Sequence, residues 1–162
     1  MEHHQHKDSK NDKDHLKHYV TLGVMAILSF IAMYILMYAM VNKYENVFTN
    51  VNQFYMAATM TMPMLIIEVI LMRHMYMNKK LNLAIIVICA LALIGFYSGT
   101  RKQLGVSDRQ FLKSMIPHHA GAILMCQESD LSDPELKKLC EEIVASQQKE
   151  IDQMKAKLRD LK

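Results

Sequence analysis

Ser107-Asp108-Arg109-Gln110-Phe111-Leu112-Lys113-Ser114-Met115-Ile116-Pro117-His118-His119 combines a helix start with a dense group of soft-metal donors. Ser107 with Gln110 three residues on reads as a capping box, the hydroxyl and the Gln amide each satisfying a free backbone N–H. Core-like positions then recur at Leu112, Met115, His119, Ala122 and Cys126, about a turn apart. Pro117 removes a backbone bond inside this run, so a bend is expected there. Asp130 to Asp133 form the turn, and Pro134 suits a first helical position with Ser132 or Asp133 as cap. A second stripe follows at Leu136, Cys140, Ile143, Gln147, Glu150 or Ile151, Met154, Leu158 and Leu161. Amphipathic helices over 107–129 and 134–161 joined by a short turn predict an antiparallel hairpin. Folding it symmetrically about residues 131–132 puts Met115 level with Gln147 and Gln148, and leaves Met154 about two turns away.

Upstream the composition changes. Of the 162 residues 51% are apolar, and these concentrate between about positions 19 and 99. Residues 19–41, 54–77 and 81–99 are each long enough to cross a bilayer at about 1.5 Å per residue. The second block carries Glu68, Arg73 and His74, while the other two are uncharged. The first block is too long for a cleaved leader and follows a polar tail, so it reads as a span. An all-α fold is expected: a polar tail (1–18), three transmembrane helices (19–99) and a C-terminal helical domain (100–162). Lys7, Lys10, Lys13, Lys17, Arg73, Lys79 and Lys80 outweigh Lys43, Arg101 and Lys102, with Arg109 and Lys113 a little farther along on that second side, which puts the tail in the cytoplasm and the C-terminal domain outside.

A hairpin of this size cannot bury much core alone. It is expected to pack against a second copy as a four-helix bundle, with a homodimer preferred over a higher oligomer, or against the membrane domain. Cys126 and Cys140 fall at similar depth, but facing helices usually hold their backbones too far apart for a disulfide, so none is expected.

Polar groups on an apolar stripe need partners. Gln147 and one His of the pair are therefore expected to meet each other, Glu150 or an ion. His118 and His119 lie about 100° apart around the helix, so one of them faces a given site. Thioether with imidazole suits Cu(I), with Ag(I) as the alternative soft cation. Zinc would draw more His, Cys or carboxylate, and a di-iron bundle would need several Glu where the interior offers Glu150 and Asp108. A Met stripe is equally what ordinary core filler looks like.

Asp108, Phe111, Leu112, Met115, Ile116, Pro117, His118, His119, Ala122, Ile123 and Met125, followed by Gln147, Gln148, Glu150, Ile151 and Met154, resemble the bacterial "domain of unknown function 305" family over about residues 107–160. The resemblance implies a ferritin-like helical fold, of which this hairpin would be half. It also implies a copper-binding role for Met115, His118, His119, Met125 and Met154, because the studied members bind copper in the periplasm through Met and His. The membrane portion is similar to the anchored members of that family, which implies a multi-pass protein of the bacterial inner membrane with a periplasmic hairpin. Gln147, Glu150 and Asp108 would then support the metal-bearing side chains.

Fifteen Met residues are present, many of them in the first two spans. Met56, Met60, Met64, Glu68 and Met72 step by four and form a slow spiral, so that neighbours such as Met60 and Met64 could share an ion next to Glu68. Plain apolar packing, with Glu68 bonded to a Tyr or Ser, is the competing expectation. His3, His4, His6, His15 and His18 make the tail a weak site for Cu(II), Ni(II) or zinc on a segment whose composition favours disorder. The leading expectation is a membrane-anchored copper or silver binder serving sequestration, tolerance or delivery, with lipid and copper-handling proteins as partners. A metal-independent helical assembly module is the alternative. No nucleophile triad, phosphate loop or cofactor fingerprint points to an enzyme. The basic residues flank the membrane blocks rather than forming a nucleic-acid patch.

Overall fold

The structure, a computed structural model, describes residues 2–161, with side chains from Leu16 onward. Five α-helices follow one another: α1 Glu2–Leu36, α2 Val51–Leu71, α3 Lys79–Lys102, α4 Asp108–Glu128 and α5 Pro134–Asp160. Short 3-10 turns at Met37–Met40 and Tyr44–Asn46 punctuate the connector between α1 and α2. No strand occurs among the described residues. Three segments are long and apolar enough to cross a membrane: Leu16–Met40, Val51–Leu71 and Lys79–Lys102. The side chains of His3, His4, His6 and His15, on which the expected tail site rests, lie outside the described residues.

The chain divides into two compact units, Met1–Met33 with Tyr55–Lys102, and Tyr34–Phe54 with Gln103–Lys162. In the first, Leu22, Leu65, Val69, Tyr76 and Cys89 form the buried cluster, with Met25, Met62, Met64 and Met72 packed against it. The helix α2 stops at Leu71, short of the expected residue 77. The chain turns there because Tyr76 folds back against Tyr19, ring centroids 5.3 Å apart. Asn82 Nδ2 donates to Tyr76 O at 2.7 Å, and the Tyr19 hydroxyl donates to Asn82 Oδ1 at 2.7 Å. Burial, then the neighbouring Glu68 carboxylate, hold the Tyr76 phenol above its ordinary range. Gly99 permits the Tyr55 ring to approach so closely that a Cβ would meet it at 3.2 Å.

In the second unit α4 and α5 run in opposite directions, side by side. Ser107 Oγ accepts from Gln110 N and starts α4. The reciprocal half of the expected capping box is absent: Gln110 Oε1 accepts instead from Val51 N at 3.1 Å, satisfying the start of α2. Asp133 is the cap of α5, accepting from Glu135 N at 2.7 Å and Leu136 N at 3.2 Å, with Pro134 at the first helical position. The buried stripe of α4 is Leu112, Ile116, His119, Ala120 and Ile123, so it is turned away from the expected Met115, Ala122 and Cys126. The reason is a third covering element. Val41 and Phe48 of the connector pack with Val144, Met154 and Leu158 on the cluster of Ile116, Ala120, Ile123 and Ile151. The chain's own connector thus supplies part of the cover that was expected from another copy.

Pro117 is accommodated inside the continuous α4. A proline leaves the carbonyl four residues earlier without its helical donor. Asn50 Nδ2 of the connector stands 3.5 Å from that carbonyl, Lys113 O.

Cys126 and Cys140 are joined by a disulfide, with Cα atoms 5.2 Å apart. This corrects the expectation of two unbridged cysteines. Near the turn the two backbones come closer than mid-helix packing distances of about 8–10 Å. The bridge closes a sequence separation of 14, for which chain entropy gives roughly 3 kcal/mol. Replacing both cysteines by serine is expected to lower the unfolding midpoint of this unit in denaturant, with the loss absent when both proteins are first reduced.

Candidate functional site

Three ties set the register of α4 on α5. The Cys126–Cys140 bridge lies near the turn, His119 meets Glu150 in the middle, and Arg109 Nη1 donates to Leu161 O at 2.6 Å at the far end. This progression brings Met154 level with Met115, whereas a symmetric fold about residues 131–132 put Gln147 and Gln148 there. The physical cause is the extended loop between Glu128 and Pro134. Cys126 is two residues from the end of α4 while Cys140 is six residues into α5, so α5 starts about a turn beyond the end of α4.

His119 is buried at 7% exposure, and both its ring nitrogens are engaged. Nδ1 donates to Met115 O at 2.9 Å, and Nε2 meets Glu150 Oε2 at 2.6 Å. With Nδ1–H given to a carbonyl, the second bond needs one proton held between imidazole and carboxylate. A metal at Nε2 would have to displace both that proton and Glu150. His119 therefore ties two helices rather than presenting a free donor. Glu150→Ala strands a buried ring nitrogen. Because the carboxylate is 48% exposed, the expected loss is only roughly 1 kcal/mol, read as a lower denaturation midpoint.

His118 is exposed, its ring centroid 6.0 Å from that of His119. Its ring nitrogens have no hydrogen-bond partner among the described residues. Met115 is half-buried three residues earlier on the same helix face. Met154 is half-buried against the Ile116 and Ile151 cluster. Met125 is 57% exposed, about two turns beyond His118 and beside the disulfide. Gln147 is half-buried and bonds neither His; Glu150 alone takes that role. Asp108 is exposed in the first turn of α4. Among the described residues no group of three or more His, Cys, Asp and Glu gathers as a metal would require.

In the first unit Met60 and Met64 have different surroundings. Met60 is 49% exposed, while Met64 packs on the Leu65 and Val69 cluster. Glu68 lies close enough to Tyr76 to help raise its phenol.

The structural role of Val41, Phe48 and Asn50 was not anticipated. Apolar residues set among Asn42, Asn46 and Asn50 between two spans were the available signal, since short polar connectors seldom keep such residues.

Residues 100–158 match the model of a family described as "Domain of unknown function (DUF305)". The chain is also similar to an uncharacterized protein of Acanthamoeba polyphaga mimivirus, 34% identical over 146 residues, covering 86% of this chain and 91% of that one. That likeness takes in the apolar helices as well as the C-terminal pair. No solved structure matches the chain.

Proposed function

We propose, from the premise that this chain belongs to the DUF305 family, that it is a membrane-anchored protein that binds Cu(I) or Ag(I) and catalyses no reaction. One inference supports this reading: the register of α4 on α5 sets Met115 opposite Met154, and His118 stands about one turn along the Met115 face with no hydrogen-bond partner among the described residues. Two thioethers and an imidazole fit a soft monovalent cation. His119 and Glu150 keep the helices in register beneath them, and Met125 stands apart.

The three apolar helices would anchor the chain, which sends the polar tail and the C-terminal pair to opposite faces. The Cys126–Cys140 disulfide supports an oxidising compartment for that pair, hence the exported side. The lysine and arginine bias points the same way. A bacterial inner membrane is the expected home of anchored chains of this type, although the relative identified belongs to a virus. Sequestration, tolerance or delivery to copper-handling proteins is the cellular role that follows.

A half ferritin-like bundle is completed by a second copy. Phe111 at 50% exposure, Met125 at 57% and Leu136 at 48% leave apolar surface on the helix pair that such a copy would cover. The same surface favours the competing role, a metal-independent assembly module. The two separate cleanly. Competition of the detergent-solubilised full chain against a chromophoric Cu(I) chelator is expected to withdraw copper, and deletion of residues 103–162 to lower cellular copper tolerance. Oligomerisation without copper withdrawal or any change in tolerance would leave the assembly role alone.

A further inference from the structure

The end of the helix pair farthest from the disulfide carries a feature that metal binding does not use. A cavity of about 470 Å³ is lined by Glu45, Phe48, Arg109, Lys155, Leu158 and Arg159, with Leu161 at its edge. Three cations and one carboxylate face it. None of the three cations has an acidic partner within ion-pair distance among the described residues, where the ion pair formed is His119–Glu150. Lys155 and Arg159 are one turn apart on α5 and so project from one face. Arg109 comes from the opposite helix, in the first turn of α4, where the helix dipole adds positive potential. Arg159 in the last turn of α5 also complements the carbonyl end of its own helix, and Arg109 donates to Leu161 O at 2.6 Å, but neither contact neutralises the three cationic charges that line one hollow without an ion-pair partner among the described residues. Phe48, Leu158 and Leu161 give the hollow an apolar wall.

Covalent reach sets an upper bound on how far the cavity-lining residues can lie along the chain from the candidate spans. Phe48 precedes the start of α2 at Val51 by three residues, which is about 10 Å of chain at most. Arg109 follows the end of α3 at Lys102 by seven residues, about 25 Å at most. Both tethers begin at the same end of the candidate spans. A cationic hollow with an apolar wall tied so closely to bilayer-crossing helices matches an anionic headgroup with its first acyl carbons.

We propose that the Arg109–Lys155–Arg159 cavity binds a phosphate-ester anion. A lipid headgroup and a free phosphate share this chemistry, and the lipid arm rests on the membrane anchoring proposed above. The full chain is placed in nanodiscs of mixed phosphatidylcholine and phosphatidylglycerol, and the lipid retained after release is counted by native mass spectrometry. The solubilised chain is titrated in parallel with inorganic phosphate. Lys155→Ala with Arg159→Ala is expected to lose phosphatidylglycerol retention by roughly tenfold or more. Lys138→Ala with Lys149→Ala, which removes the same charge outside the cavity, is expected to keep it. Phosphate binding that is lost in the cavity pair, without lipid retention, assigns the site to a free phosphate. Neither anion bound, or equal losses in the two pairs, overturns the proposal. Anchoring is judged separately, by whether the chain sediments with membranes.

Discussion

His118→Ala is expected to weaken Cu(I) binding about a hundredfold, and His119→Ala to weaken the fold instead. The two residues are neighbours in sequence, and the pair looks like one unit. The structure gives them opposite surroundings. His118 is exposed, its ring nitrogens have no hydrogen-bond partner among the described residues, and removing it deletes one of the three proposed donors at the cost of its edge contact with the His119 ring. His119 is held by Met115 O and Glu150, so its removal opens a cavity and leaves a carboxylate beside it unpaired. Losing one ligand of a three-donor soft site typically costs a large factor, because a two-thioether remainder holds the ion weakly. The measurements are competition against a Cu(I) chelator and denaturant unfolding, run on both variants. Equal copper losses in both, with equal stability, would mean that the imidazoles act together and that the engagement of His119 is not what sets its role.

Ile151→Ala is expected to have the largest effect on stability of any single substitution in the second unit. Ile151 is fully buried, and it touches Ile116, Ala120 and Ile123 under the cover of Val41 and Phe48. Removing three carbons there costs roughly 2–4 kcal/mol, transfer and cavity together. Because the core is shared between the helix pair and the connector, Phe48→Ala should lower the stability of the same unit, and the effects of the two should not add. Hydrogen exchange resolved by segment checks this: protection in α4, α5 and residues 41–50 should fall together in either variant. Loss confined to α5 would show that the connector is not part of this core.

The helices, their caps and the apolar spans were legible because each has a local cause: periodicity, Asp133 before Pro134, Ser107 before a periodic run. What escaped depended on placement in space. The register was misjudged because a symmetric turn was assumed, and the extended residues ahead of Pro134 displace α5 by about a turn. The core stripe was misjudged because Val41 was counted with the first span and Phe48 was given no role, yet both complete the core. The disulfide was missed for a related reason, since a general interhelical distance does not describe helices converging near their turn. At the candidate site the histidine pair and Glu150 were legible as polar groups in need of partners. Their division of labour was not, because nothing in two adjacent imidazoles says which one meets Glu150.

The central claim is that thioether sulfur from Met115 and Met154, with the imidazole of His118, holds a soft monovalent ion. X-ray absorption spectroscopy of the Cu(I)-loaded full chain tests it most directly. The account predicts a sulfur shell that collapses in Met115→Leu with Met154→Leu, and a nitrogen contribution that disappears in His118→Ala but survives in Glu150→Gln. A spectrum without sulfur, or one unchanged by the two methionine substitutions, would contradict it.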